Sequence, residues 1–327
     1  MQVDALQPEN LLGQTAGLAG SAAKAADGRV GLMVDARGSP APAKVRARQI
    51  GPSDIDRVVD LLARGFPSRP RQFWAGVLAR LTGHATPAGL PKYGYLLESG
   101  GMPVGVVLLI SSVMRTGGSS TIRCNVSSWY AEPAFRSYAS LLIAKALGHV
   151  NVTYLNVTAA PHTRPIVRAQ GYSQYSTGIF VAMPALQVFS RETGVRLVEA
   201  RRHPDADCDP FERDLLLEHE GYGCLSLWAV TSDGAYPFVF RPRVVKGVIG
   251  CAQLVYCRDL DNFVRLAGPV GRYLAARGRF LIIIDSNGPI PGLAGKYLAD
   301  RMPKFFQGPD RPRLGDLAYT EVAMFGV

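Results

Sequence analysis

Polar and apolar positions change period several times along the chain, and the changes mark its elements. Val45, Ala47 and Gln49 alternate with Arg46, Arg48 and Ile50, the period of two expected of a strand. Ser53 then offers an N-cap, with Asp54 and Asp56 where a helix dipole favours acids. Ile55, Val58, Val59 and Leu62 supply a helical stripe. Phe73, Trp74, Val77, Leu78 and Leu81 predict a second helix over 71–81. Strands are predicted at 93–98 and 102–113 around the Ser99-Gly100-Gly101 turn, and at 122–130. A helix at 137–147, a strand at 152–157, a short helix at 164–169 closed by Gly171 and a strand at 178–183 complete the order β-α-α-β-β-β-α-β-α-β. A hairpin followed by β-α-β units implies an α/β fold with a mixed sheet and helices on its faces.

The remainder repeats this order more loosely. Strands are expected at 195–200, 225–230, 236–240, 248–256 and 280–285, and helices at 211–220 and 263–276. A further helix at 294–302 and a last strand at 317–325 complete it. Without residue-level identity between the halves, the shared order points to duplication. The division expected is a disordered tail over 1–44, a first domain over 45–190 and a second over 195–327.

Composition narrows the function classes. Of 327 residues 47% are hydrophobic and 19% charged, enough for a buried core. The net charge of +10 fits a polyanionic ligand or an arginine-rich surface style. The basic residues form no run and are not interleaved with aromatics, which argues against a nucleic-acid surface. The five cysteines show no C-x-x-C spacing, so reduced thiols are expected and no metal site. The longest apolar run, 104–114, is far short of the ~20 residues of a membrane span. The first residues lack the basic n-region of a secretory signal, so a cytoplasmic protein is expected.

The candidate chemistry sits at Trp129-Tyr130-Ala131-Glu132-Pro133-Ala134-Phe135-Arg136-Ser137-Tyr138-Ala139-Ser140-Leu141-Leu142. A strand ends at a proline, a loop carries an arginine, and small residues open an apolar helix. Helix N-termini present unpaired N–H groups and a positive dipole end to an anion, so a pyrophosphate fits; so does a plain β-α junction. The segment resembles the acyl-CoA-binding motif of the GNAT superfamily of N-acyltransferases, a strand, V-x-P-x-x-R, then R/Q-x-x-G-x-G/A opening a helix. The resemblance extends to Pro161–Tyr172, similar to the family's short helix closing in lysine-x-Gly-aromatic. It implies a GNAT-like fold in two tandem copies, the second degenerate.

Acetyl-CoA or another acyl-CoA is the co-substrate the resemblance implies, held by Ser128, Trp129, Tyr130, Ala131, Arg136, Ser137, Tyr138, Ala139 and Ser140. It further implies an N-acyltransferase acting on an amine of a small molecule or envelope sugar. Three departures stand out. The family's glycines are Ala139 and Leu141 or Ser140, Val167 replaces the usual proton-donating tyrosine, and the strand 123–130 carries no carboxylate. A catalytically inactive acyl-CoA-binding or scaffolding protein of the same fold is therefore the alternative.

Substitutes for the missing groups can be named. Tyr138 or His162 could donate a proton, although His162 suits a loop or cap equally. In the second half, Asp285 and the following Ser286-Asn287-Gly288 stand at the carboxyl end of an apolar strand, where ligand crevices form, or make a tight turn. Tyr319 and Glu321 share one face of the expected last strand, with Asp316 before it. These carboxylates could bind a cationic acceptor or line a solvated face. The segment 257–262 carries acids where a phosphate would sit, against a second CoA site.

Overall fold

The computed structural model describes residues 44–326 apart from 117, 187–191, 193, 203–207 and 246. The expected tail lies outside the described residues, except Lys44. Among the described residues, twelve strands form one sheet: β1 (Arg46–Gln49), β2 (Gly94–Ser99), β3 (Met102–Thr116), β4 (Ser119–Ala131), β5 (Val152–Asn156), β6 (Ser173–Ala182), β7 (Arg196–Glu199), β8 (Leu225–Thr231), β9 (Gly234–Val245), β10 (Ile249–Cys257), β11 (Leu281–Ser286) and β12 (Gly295–Gln307). Their order across the sheet is β1-β2-β3-β4-β5-β12-β6-β11-β10-β9-β8-β7.

That order shows both the duplication and an exchange. β1 to β5 mirror β7 to β11, and the two parallel pairs, β4–β5 and β10–β11, sit at matching places. The final strands are swapped: β6 of the first half pairs with β11, and β12 of the second half pairs with β5. β6 and β12 run antiparallel at the centre. Each half therefore completes the other's sheet.

Alternation along β3 divides the core. Val106, Leu108 and Ile110 point to one face, where α1 (Ile55–Gly65), α2 (Arg71–Gly83), α5 (Pro210–Gly221) and a short α7 (Glu321–Met324) share a core running across both halves. Val107 and Leu109 point to the other, covered by α3 (Ala139–Ala146) and α4 (Arg164–Ala169). α6 (Leu260–Ala275) covers the second half with Phe263, Leu266 and Val270 against Phe238 and Phe240. Burying a Phe side chain contributes on the order of 1.5–3 kcal/mol, so these clusters hold the sheet's two ends.

Two expected elements are of the wrong type. The segment read as a helix over 294–302 is the first part of β12, because the swap gives its backbone the neighbouring strand β6 to pair with. The segment read as a strand over 317–325 is a turn followed by α7, packed on α5 rather than on a sheet edge. The expected disposition of Tyr319 and Glu321 on one strand face falls with it: Tyr319 is left-handed, at φ 55°.

Candidate functional site

The two parallel strands β4 and β5 pair only from Ile122↔Val152 to Asn125↔Leu155. Beyond Asn125 they separate, and β4 has no strand partner on that side among the described residues. A bulge accompanies the separation: Ser127 and Tyr130 pair with Leu108 and Val106, leaving Ser128 and Trp129 against Val107 alone. Ser128 takes the left-handed conformation, at φ 51°. Such a bulge turns the strand and re-aims its backbone groups. The wedge it opens is a cleft of about 710 Å³ including its mouth, walled by Ser128–Ala131, Asn156, Thr158, Ile143, Val167 and Tyr172.

A carboxylate lies in its wall. Glu321, 4% exposed, accepts hydrogen bonds from the Ser127 and Thr158 hydroxyls, one from each side of the wedge. Burial pushes its carboxyl above the usual range; the two hydroxyls, Lys304 and Asn125 act in the opposite direction. Carboxyls raised by burial in a cleft are the kind of group that general acid–base chemistry uses. The carboxylate absent from β4 is thus supplied by α7, some two hundred residues later in the chain.

The second half shows why Glu321 is there. β10 and β11 also pair over three positions, Cys251↔Leu281 to Gln253↔Ile283, and β10 carries its own bulge at Val255. Here the wedge is filled by the chain itself. Leu317 N–H donates to Val255 O (2.7 Å) and Cys257 N–H donates to Gly315 O (2.9 Å), so Gly315–Leu317 lies along β10 as a ligand strand would. Gly315 fits because a Cβ there would stand 2.7 Å from Cys257 Sγ. At the start of α6 the Asp259 carboxylate accepts from Asp261 N (2.8 Å), occupying the N-terminus where an anion would bind. Among the described residues, the second copy's wedge is thus occupied by the chain's own segment.

The plug is bolted to the first half. Arg123 of β4, buried, donates to Asp316 Oδ1 (3.1 Å) and to Ala318 O (2.6 Å). Burial by itself raises the Asp316 carboxyl, and the Arg123 and Arg313 guanidiniums outweigh it and hold it below its usual value. Tyr319 N–H donates to His219 Nε2 (3.1 Å), whose Nδ1–H reaches Leu215 O (2.7 Å). Burial lowers the His219 pKa to about 4, so the ring is neutral with its proton on Nδ1. Glu321 follows two residues later, carried to the cleft by this chain of contacts.

The other expected residues divide. Ser128, Trp129, Tyr130 and Ala131 line the cleft. Arg136, Ser137, Tyr138, Ala139 and Ser140 do not. Without glycine the loop winds into a 3-10 helix over Pro133–Tyr138, so its amides are turned inward: Phe135 N–H donates to Glu132 O (2.8 Å), and Ala139 N–H donates to Arg136 O. The open, unpaired helix start expected of this segment is not formed. His162 and Tyr138 are exposed and away from the cleft wall, so neither is placed as a proton donor there; the tyrosines that face it are Tyr130 and Tyr172.

Asp285 is likewise away from the cleft wall, buried 3.5 Å from Lys304 Nζ. Asp316 is neutralised by two arginines and has no charge to spare for an acceptor. Asn287-Gly288 serves as a turn, its side-chain amide donating to Tyr175 O (3.0 Å) and its carbonyl accepting from Thr177 N (2.8 Å). All five cysteines are free thiols, and burial pushes those of Cys124 and Cys257 up to about 12. Sequence reasoning missed Ser127 and Thr158, the two hydroxyls on Glu321 in the cleft wall. Ser127 adjoins a named residue; Thr158 carries no local signal.

No protein-family model matches the chain, and no curated protein matches it in sequence. Solved structures do. A GCN5-related N-acetyltransferase from Kribbella flavida superposes with TM-score 0.51 at 16% identity, over 81% of this chain and 71% of that one. One from Anabaena variabilis gives 0.52 at 12%, over 80% and 72%. Eis1 from Mycobacterium abscessus gives 0.50 at 15%, over 84% and 74%. With a parallel pair beside a bulged strand in each half, β4 in the first and β10 in the second, this chain has the fold of the GNAT superfamily of acyl-CoA N-acyltransferases, in two tandem copies of which the second is degenerate.

Proposed function

We propose that this chain is an acyl-CoA-dependent N-acyltransferase whose one working cleft is the β4–β5 wedge, with acetyl-CoA as donor. The observation that carries the reading is the buried Glu321 carboxylate in the wall of an open wedge whose counterpart at β10–β11 is filled by the chain. An extended pantetheine arm would lie along the unpaired side of Val126–Ala131, its thioester carbonyl polarised by main-chain N–H groups at the Ser128 bulge. The acceptor amine attacks the thioester carbon, Glu321 takes the amine proton, the C–N bond forms, and the C–S bond breaks to release CoA. Fixed geometry contributes much of the acceleration. The acceptor is a small-molecule amine or an amino sugar of the envelope, and the free thiols fit a cytoplasmic enzyme.

A second reading, acyl-CoA binding without transfer, draws support from the closed 3-10 turn at Pro133–Tyr138 and from Val167 in the cleft wall. Calorimetric titration with acetyl-CoA and longer acyl-CoAs tests what the two share; no binding below millimolar concentration defeats both. CoA release with a panel of amines and amino sugars then separates them. Turnover that collapses in E321Q supports transfer, and binding without CoA release supports the second reading.

A further inference from the structure

Two helices frame the open wedge on one face of the sheet: α3 contributes Ile143 to the cleft wall, and α4 contributes Val167. From Pro133 to Tyr172, the stretch that holds both helices, the chain carries Arg136, Lys145, Arg164 and Arg168 and no aspartate or glutamate. Glu132, just before it, is paired with Arg64 (2.9 Å). Arg164 donates to Asp300 O (3.4 Å) and Arg168 to Gln174 Oε1 (3.3 Å), while Arg136 and Lys145 are exposed and form no ion pair among the described residues. Apolar groups stand among these charges. Tyr138 and Leu141 are 43% and 41% exposed, and with Lys145 they follow the i, i+3, i+7 spacing of one outward helix face.

A nucleotide makes little use of such a face. Main-chain amides at the start of α3 would gather the pyrophosphate of CoA, yet those of Phe135 and Ala139 donate to Glu132 O and Arg136 O within the 3-10 turn. Arg136 and Lys145 stand nine positions apart, about 14 Å at the helical rise of ~1.5 Å per residue, and so do not converge on one diphosphate. A pantetheine arm also comes on a second kind of carrier, an acidic protein that bears it on a serine through one phosphate. Cations spread around exposed apolar side chains match a protein surface of the opposite charge. The chain's own balance, 36 Lys and Arg against 26 Asp and Glu, attracts such a partner.

We propose that the α3 face of Tyr138, Leu141 and Lys145 docks an acidic acyl carrier protein, whose acyl-phosphopantetheine arm enters the β4–β5 wedge; acetyl-CoA brings the same arm without the docking contacts. This rests on the wedge being the thioester site of the proposed transfer. The chemistry is unchanged: the amine attacks the thioester carbon, the C–N bond forms and the C–S bond breaks, and the arm's sulfur leaves as the thiol of the unloaded carrier. The amine loses one proton, to Glu321, and the departing thiolate gains one.

The test compares three acetyl donors on the full chain with the same amine panel: acetyl-CoA, acetyl-pantetheine, and the acyl carrier protein of bacterial fatty-acid synthesis loaded with acetyl. The carrier is expected to exceed acetyl-CoA in kcat/KM by about tenfold or more. L141D/K145E, at exposed positions outside the cleft wall, should lower the carrier value about tenfold and leave acetyl-CoA and acetyl-pantetheine within about twofold. An equal loss with acetyl-CoA would make the face a site for the phosphates of CoA and overturn the proposal, as would a carrier value below that of acetyl-CoA. Calorimetry with the loaded carrier reads docking without turnover: binding should weaken about tenfold in L141D/K145E, and no binding below millimolar concentration also overturns it. Docking that is sensitive to L141D/K145E, with no thiol released from any donor, would leave the docking face intact and defeat the transfer reading instead.

Discussion

Replacing Arg123 by methionine tests the coupling between the halves, because this side chain on β4 holds the segment that delivers Glu321. R123M removes two charge-assisted contacts, to Asp316 and to Ala318 O, inside a site where Arg123 and Asp316 are both below 10% exposed. Breaking a buried ion pair by removing one partner costs about 3–5 kcal/mol. Arg313 remains 3.5 Å from Asp316 and shares the carboxylate, which places the cost near the lower bound, about 3 kcal/mol. At roughly 2–4 °C per kcal/mol for chains of this size class, melting falls by about 6–12 °C.

The effect also has a direction in pH. The Asp316 carboxyl is depressed in the folded state, so the stability it contributes is present above about pH 4 and is lost as pH falls through its folded value. R123M should flatten that acid limb. Thermal melting across pH and amide exchange over 315–325 measure both, and exchange there should accelerate while β2 and β3 stay protected. A melting point within about 2 °C of wild type, with unchanged exchange in that segment, would refute the account of how the C-terminal segment is held.

Three further outcomes follow from the site. E321Q should lower kcat by about 10²–10⁴ while leaving acyl-CoA affinity within a few-fold, read by CoA release and calorimetry. His219 binds its proton less readily when folded, at about 4 against 6.5, so stability should fall with pH through that window. The loss totals about 3 kcal/mol, and H219Q should show a flatter profile in denaturant titrations. Gly65 lies under the Tyr130 ring, and a Cβ there would approach to 2.5 Å. G65V should therefore cost about 1–3 kcal/mol and weaken acyl-CoA binding by displacing a cleft wall, seen in melting and calorimetry together.

How much of this could be read from the chain depends on how local each determinant is. The α1 stripe of Val58, Val59 and Leu62, the apolar strand 281–286 and the turn at Ser99-Gly100-Gly101 carry their own periods and punctuation, and each forms where expected. The first half's order of elements follows from such signals; the separation of β4 from β5 beside Ser128 appears only in the structure. Residues 295–307 do not. Their propensity is mixed, and the partner that makes them a strand is β6, more than a hundred residues earlier. Pro303 and the left-handed Asp300 and Met302 sit at the bulge, where pairing rules relax.

The same holds for the chemistry. Sequence names Glu321 as one of a pair of carboxylates, with Asp316, around an expected last strand. Its placement, against Ser127 and Thr158 and not beside Asp316 on a strand, was decided by the plug at β10 and the Arg123 contacts. Sequence determined the elements because backbone period and turn chemistry act over a few residues. Tertiary structure decided the site because the segment laid along β10 and held by Arg123 brings Glu321 into a wedge built before 160, and no local pattern encodes a contact across that distance.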